Sequence, residues 1–199
     1  MYSVAEIFTT LQGEGFWAGT PAVFVRLSGC NLRCPFCDTD HSPRMRLSAD
    51  ELADAARAAA PGIGMLVLTG GEPLLQADEA LVAALNSRGF RIHLETNGSR
   101  PAPEGIDWIC LSPKDELFPS EGRVVLEKAD ELKLVWTAAD APEKLSRWEA
   151  FPAQWHFLQP CDASDAAISR ENLQACIKTC LEHPLWRLSL QTHKLIGIA

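Results

Sequence analysis

Cys30-Asn-Leu-Arg-Cys34-Pro-Phe-Cys37 packs three thiols into eight residues with the spacing C-x3-C-x2-C. Three thiolates on one short loop bind three irons of a [4Fe-4S] cubane and leave the fourth iron without a protein ligand. That open iron lets a small molecule coordinate the cluster directly. Zinc is the competing occupant, but a structural zinc site needs a fourth ligand, for which Asp38, Asp40 and His41 are the neighbours available. A second unusual tract is Thr69-Gly70-Gly71-Glu72-Pro73, whose Gly70 lies 33 residues after Cys37. A Gly-Gly turn permits close backbone approach, and its carbonyls together with Glu72 can accept hydrogen bonds from an ammonium group.

These tracts need a scaffold that brings them together. Near-continuous apolar runs at 22–27, 65–69, 90–95, 107–111, 132–136, 155–158 and 186–190 predict strands covered on both faces. Ser48-Ala49-Asp50-Glu51 is a capping-box pattern that opens a helix running to Ala60, and Pro61-Gly62 stops it. Further helices are expected over 78–88, 142–150 and 165–182. Strand–helix alternation argues for a parallel sheet wound by right-handed crossovers. The gap between 90–95 and 107–111 holds Pro101, Pro103 and Gly105, so one crossover helix is expected to be missing there. The fold expected is α/β: a single-domain, incomplete (β/α) barrel of about six parallel strands spanning residues 1–199. SGCN, TGGEP, ETNG, LSPK, LQP and LQTHK each follow a strand, and in a barrel the loops at the carboxyl ends of the strands meet on one face. Turn composition explains one or two such tracts. Six converging polar or glycine-rich turns describe an enzyme.

Bulk properties narrow the class. Hydrophobic residues make up 47% and charged residues 22%, the balance of a globular domain. Lys and Arg number 18 against 26 Asp and Glu, a formal charge of −8 that disfavours nucleic acid and anionic membrane as partners. No apolar stretch approaches a spanning helix, and MYSVAEIFTTLQGEG lacks both a basic n-region and an apolar h-region. An odd set of seven cysteines, three of them crowded together, suits a metal site in a reducing compartment, so a cytoplasmic location is expected. Cys110 lies in an apolar strand and reads as core; Cys176 and Cys180, spaced i,i+4 on one helix face, read the same way. Cys161, at a strand end, could reach the rim and is left unassigned.

The triad with Phe36 before its last cysteine, and the GGEP tract after a strand, resemble the radical S-adenosylmethionine (SAM) superfamily. Leu11-Gln12-Gly13-Glu14-Gly15, Val23 to Asn31, Cys37-Asp38-Thr39, Glu95-Thr96-Asn97-Gly98, Ser112-Pro113-Lys114, Gln159-Pro160 and Gln191-Thr192-His193-Lys194 resemble the 7-carboxy-7-deazaguanine synthase family within it. These matches run from residue 5 to residue 197.

The resemblance implies ring contraction of 6-carboxy-5,6,7,8-tetrahydropterin to 7-carboxy-7-deazaguanine with loss of ammonia, in queuosine and related 7-deazapurine biosynthesis. It implies a [4Fe-4S] cluster on Cys30, Cys34 and Cys37, SAM held by Phe36, Asp38, Gly71, Glu72, Ser112, Pro113, Lys114 and Gln159, and Mg2+ at Thr39. Gln12, Gly13, Glu14, Arg26, Thr69, Glu95, His193 and the Ala199 α-carboxylate are its implied substrate contacts, with residues 1–20 as an N-terminal substrate-binding extension and Gly197 permitting the chain end to turn inward. The implied partners are a flavodoxin or ferredoxin as electron donor and a second copy in a homodimer. The residues suit a pterin on their own terms: Glu14 can accept a pair of N–H donors, Gln12 can donate and accept, and the Arg26 fork can clamp a carboxylate. Two other readings share some of the motifs. A glycyl-radical-enzyme activase would share the cysteine and GGEP patterns but act on a protein, and a ferredoxin-like carrier would bring a fourth cluster cysteine.

Overall fold

The computed structural model describes residues 1–198, so the expected substrate contact Ala199 lies outside the described residues. The strands are β1 (Tyr2–Leu11), β2 (Pro21–Leu27), β3 (Met45–Leu47), β4 (Met65–Gly70), β5 (Arg91–Thr96), β6 (Trp108–Leu111), β7 (Ala129–Trp136), β8 (Ala153–Pro160) and β9 (Trp186–Leu188). The helices are α1 (Ala49–Ala59), α2 (Glu79–Ser87), α3 (Glu143–Glu149), α4 (Ala166–Glu182) and α5 (Thr192–Ile196). All nine strands join one sheet in the order β3-β1-β2-β4-β5-β6-β7-β8-β9. From β2 through β4 to β9 every neighbouring pair is parallel, which makes seven parallel strands where about six were expected. Among the described residues no helix is long and apolar enough to cross a membrane.

Period-2 alternation along these strands separates a helix-covered face from an inner face. Val23, Val25 and Leu27 of β2, Leu66 and Leu68 of β4, and Ile92 and Leu94 of β5 form one buried core with Leu52, Ala53 and Ala56 of α1 and Leu81, Val82 and Leu85 of α2. Leu132, Leu134 and Trp136 of β7 and Leu158 of β8 form a second with Leu145 and Trp148 of α3 and Cys176 of α4. The residues between them point inward, and toward the carboxyl ends they are polar: Arg26, Thr69, Glu95, Lys133 and Gln159. Register aligns this polar row, pairing Arg26 with Thr69, Glu95 with Cys110 and Val135 with Gln159. Below it, Ala22, Met65 and Val67 pack with Trp17 and Phe24 into an apolar floor.

The helix starts follow the sequence signals. Ser48 and Glu51 form the expected reciprocal capping box, with Ser48 N donating to Glu51 at 2.8 Å. Asp78 caps α2 by accepting from Leu81 N at 3.0 Å and also accepts from the Tyr2 hydroxyl at 2.6 Å.

Four features differ from the sequence reading. Residues 2–11, taken as part of an extension, form β1, antiparallel to β2 and β3 within the sheet. Ser3, Glu6, Thr9 and Thr10 break its apolar pattern, and a register irregularity between Val4 and Glu6 blurs its alternation further. Second, both the β5–β6 and the β6–β7 connections lack a helix, where one such gap was expected. Third, the terminal tail, expected only to turn inward at Gly197, forms the short helix α5, closed by Gly197 at φ +70°, a left-handed conformation that costs a residue without a Cβ nothing. Fourth, Cys110 is buried but faces inward, its Sγ 3.6 Å from Glu131 Oε1.

Candidate active site

The triad sits on the irregular segment between β2 and β3, and neighbouring loops hold that segment in place. Glu72 N donates to Gly29 O at 2.9 Å, and Gln76 Nε2 donates to Ser28 O at 2.8 Å. Asn31 Nδ2 donates to Ser99 Oγ at 3.0 Å and to Glu121 O at 2.8 Å, while Asn97 Nδ2 donates to Asn31 Oδ1 at 3.2 Å. The loops after β2, β4 and β5 are therefore one hydrogen-bonded unit. Gly71 sets their spacing: a Cβ there would press on Gly29 O and stand 2.6 Å from the Cys30 Cβ, so only glycine allows this approach.

Cys30, Cys34 and Cys37 line one cavity of about 540 Å³, together with Gly70, Gly71, Ser112, Lys114 and Gln159. Burial pushes the Cys30 and Cys34 thiols up, and Lys114 opposes this at Cys34. Burial likewise lowers the Lys114 ammonium to about 8, while its Nζ donates to Ser112 O at 2.8 Å and to Ser112 Oγ at 2.7 Å. Among the described residues no three His, Cys, Asp or Glu side chains gather around one point as a single metal ion needs. Three soft thiols spread along a loop, open to a cavity of this size, fit a multi-iron cluster with one iron left free for a ligand.

A second cavity of about 440 Å³ adjoins the first, and Glu14, Asp38, Thr39, Thr69, Gly70, Glu95 and Gln191 belong to both walls. Gln12, Gly13, Arg26 and His193 line it as well. Arg26 Nε donates to Glu6 at 2.6 Å. Gln12 Nε2 donates to Glu95 Oε1 at 3.2 Å, and Gln191 Nε2 donates to Glu14 Oε1 at 2.9 Å. The chain end closes the seam between the two edges of the sheet. Thr192 donates to Gly13 O through both N and Oγ1 at 2.9 Å, and a Cβ on Gly13 would sit 2.8 Å from His193 Cγ. Lys194 spans Asp38 and Asp162 at 2.6 and 2.8 Å.

Most of the expected site residues thus meet around two joined cavities. Phe36, Asp38, Thr39, Gly71, Ser112, Lys114 and Gln159 line the first; Pro113 does not. Glu72 needs correction. Its side chain is fully buried, and its carboxylate accepts from Leu74 N at 2.9 Å, Thr96 Oγ1 at 2.7 Å and Asn97 N at 2.8 Å. It ties two loops together and is absent from the cavity wall, leaving the backbone of Gly70 and Gly71 to face a ligand.

Lys133 was missed. Its Nζ lies 2.6 Å from Glu14 Oε2 and 3.0 Å from Glu95 Oε2, with the side chain only 5% exposed. The signal was present in LKLVW, because a lysine inside an apolar strand is buried only when paired. Burial raises the Glu14 carboxyl, but Lys133 with hydrogen bonds from Gln191 and Gln159 outweighs it and holds the group at about 2.

The Radical SAM superfamily model matches residues 24–116. The chain is 44% identical to the 7-carboxy-7-deazaguanine synthase of Bacteroides thetaiotaomicron, over 100% of this chain and 99% of that protein. It is 46% identical to the synthase of Bordetella pertussis, over 99% of each. The crystal structure of QueE from Escherichia coli matches with a TM-score of 0.77 at 30% identity, covering 96% of this chain and 94% of that one. Full-length identity of this order removes the activase and electron-carrier readings. Taken with the joined cavities, it establishes that the chain belongs to the 7-carboxy-7-deazaguanine synthase family of the radical SAM superfamily.

Proposed function

We infer that this chain contracts the ring of 6-carboxy-5,6,7,8-tetrahydropterin to 7-carboxy-7-deazaguanine with release of ammonia, in queuosine and related 7-deazapurine biosynthesis. The observation that carries this reading is the shared wall. Three thiols line one cavity, carboxylates and an arginine line the next, and Thr69, Gly70, Glu14 and Glu95 belong to both. Cys30, Cys34 and Cys37 would hold a [4Fe-4S] cluster, which would supply the electron for SAM cleavage and thereby radical chemistry toward a substrate next door.

The chain's own groups then bind and orient. Gly71, Ser112, Lys114, Gln159, Phe36 and Asp38 surround the SAM side. Arg26, anchored by Glu6 through Nε, keeps its two terminal nitrogens for the substrate carboxylate. Gln12, Gly13, Glu14, Thr69, Glu95 and His193 frame the ring, and the first twenty residues serve this site as a substrate-binding element. The Thr39 hydroxyl, on the wall of both cavities, would be the protein contact for Mg2+, with substrate oxygens and water as its other ligands. Flavodoxin or ferredoxin as donor, a homodimeric state and a cytoplasmic location complete the proposal.

Anaerobic incubation with SAM, a reductant and the carboxytetrahydropterin tests it, with product followed by chromatography and mass spectrometry. Deazaguanine product is expected, with stimulation by Mg2+ that Thr39→Ala blunts at least tenfold while cluster content stays intact. SAM cleavage with no deazaguanine formed refutes the substrate assignment, and turnover indifferent to Mg2+ after chelation removes the Thr39 role.

A further inference from the structure

Among the described residues, Lys133 is the one buried cation that touches both Glu14 and Glu95, two of the three carboxylates shared by the two cavities. It arrives there by strand register. β7 places Leu132 and Leu134 in the helix-side core, so Lys133 between them points inward, opposite Glu95 of β5 and the Glu14 loop. Carboxylates and a neutral thiol surround it. Glu14 approaches from the loop after β1, Glu95 from β5, Cys110 from β6 and Glu131 from β7 itself. Lys114, after β6, is the second cation, and Gln159 and Gln191 add neutral donors to Glu14.

Burial works against the Lys133 charge, and the carboxylates of Glu14, Glu95 and Glu131 around it more than offset it, pushing the ammonium well above the ordinary lysine value. The consequence runs both ways. Carboxylates brought this close without a cation share a proton, because like charges a few ångströms apart cannot both ionise. An ionised carboxylate only accepts hydrogen bonds, whereas a protonated one also donates. The Lys133 contact to both Glu14 and Glu95 therefore favours a ring edge that presents donors to them.

We propose, resting on the pterin reading above, that Lys133 is a positioning and specificity-determining residue: it holds Glu14 and Glu95 as paired acceptors that select the donor edge of a 2-amino-4-oxo pterin ring. A 2,4-dioxo ring, a lumazine, places an oxygen where the pterin carries its amino group, so acceptor meets acceptor. Sites that hydrogen-bond a substrate group discriminate strongly against analogues lacking it, since their own polar groups are then left unpaired. Glu131 does not share this duty. Its carboxylate accepts from Phe16 N at 3.1 Å and contacts Cys110, which keeps it in the lower part of the inner face.

The test uses the cluster-loaded enzyme with SAM and measures fluorescence binding of 6-carboxypterin and 6-carboxylumazine between pH 5 and 7.5. Wild type should prefer the pterin by at least a hundredfold, with little change across this range. Lys133→Met keeps the length and removes the charge. It should lose at least tenfold of that preference at pH 5–6 and regain part of it toward pH 7.5. Lys133→Met combined with Glu95→Gln removes the like-charge pair, so it should flatten the pH dependence again and serves as the folded variant if the single one is unstable. Unchanged preference in Lys133→Met, or equal loss of both rings at every pH, overturns the proposal and leaves a merely structural ion pair. Wild type that turns over the carboxytetrahydropterin while the variant keeps its discrimination overturns this inference alone. Wild type that binds neither ring overturns the functional reading and this inference with it.

Discussion

Replacing Gly71 by alanine adds one methyl group at the tightest point between the GGEP loop and the triad. The new Cβ would stand 2.6 Å from the Cys30 Cβ and 2.8 Å from Gly29 C, with Gly29 O closer still. Carbon atoms pack at about 3.5 Å or more, so the two loops must part by about 1 Å. Neither side yields easily. Gly29 O is held by Glu72 N at 2.9 Å, and the Glu72 carboxylate is tied in turn to Thr96 and Asn97. Overpacking of this kind costs roughly 1–3 kcal/mol, which for a chain of this length lowers the melting temperature by about 5 °C. The functional effect is larger, since about 1 Å of misplacement beside reacting groups costs on the order of 100-fold in rate. Gly64→Ala is the control, because a Cβ there meets nothing within 4 Å. The assay reconstitutes both variants anaerobically and measures iron content, SAM dissociation and 5′-deoxyadenosine formation. Gly71→Ala should bind SAM at least tenfold more weakly and cleave it on the order of 100-fold more slowly, with Gly64→Ala matching wild type. A Gly71→Ala enzyme with wild-type SAM affinity and cleavage would show that the loops relax freely and that the close approach has no function.

Alanine at Cys30, Cys34 or Cys37 should leave the fold intact and abolish both full cluster content and SAM cleavage, while Cys176→Ala, in the α3–α4 core, should lose about 1 kcal/mol of stability at most and keep both activities; undiminished cleavage in a triad variant refutes the cluster assignment. Glu14 carries a linkage prediction. Its carboxyl falls from 4.5 to about 2 on folding, so the ionised form contributes about 3 kcal/mol above the unfolded value, lost as pH drops from roughly 5 toward 2. Burial raises Glu72 and Glu131 instead and tilts the background the other way, so the comparison must be with Glu14→Gln. Urea unfolding between pH 6 and 3 should show a shallower acid loss in Glu14→Gln than in wild type, and equal slopes would contradict the Lys133–Glu14 pairing.

Local sequence determined the chemistry of this protein and most of its frame. The triad spacing, the GGEP tract and the polar turns after apolar strands are written within a few residues each, as is the Ser48–Glu51 cap. Seven buried parallel strands were legible because each is a short apolar run that needs no distant partner to be recognised. β1 was not, since its polar positions become sensible only once β2, β3 and the inner face exist around them.

The tertiary structure decided where the polar groups point. Glu72 looked like a ligand contact and proved to be a knot between loops, because Leu74, Thr96 and Asn97 bring donors that its own tetrapeptide does not contain. Lys133 drew no reading inside its core strand, and its meaning came from carboxylates 119 and 38 residues away in the chain. The tail was expected to turn inward at Gly197, and it closes the seam as α5 because Gly13 and Asp38 lie across from Thr192 and Lys194. Residue type and spacing fix what a side chain can do. Which partner it meets depends on strand register and loop closure, and those are properties of the whole fold.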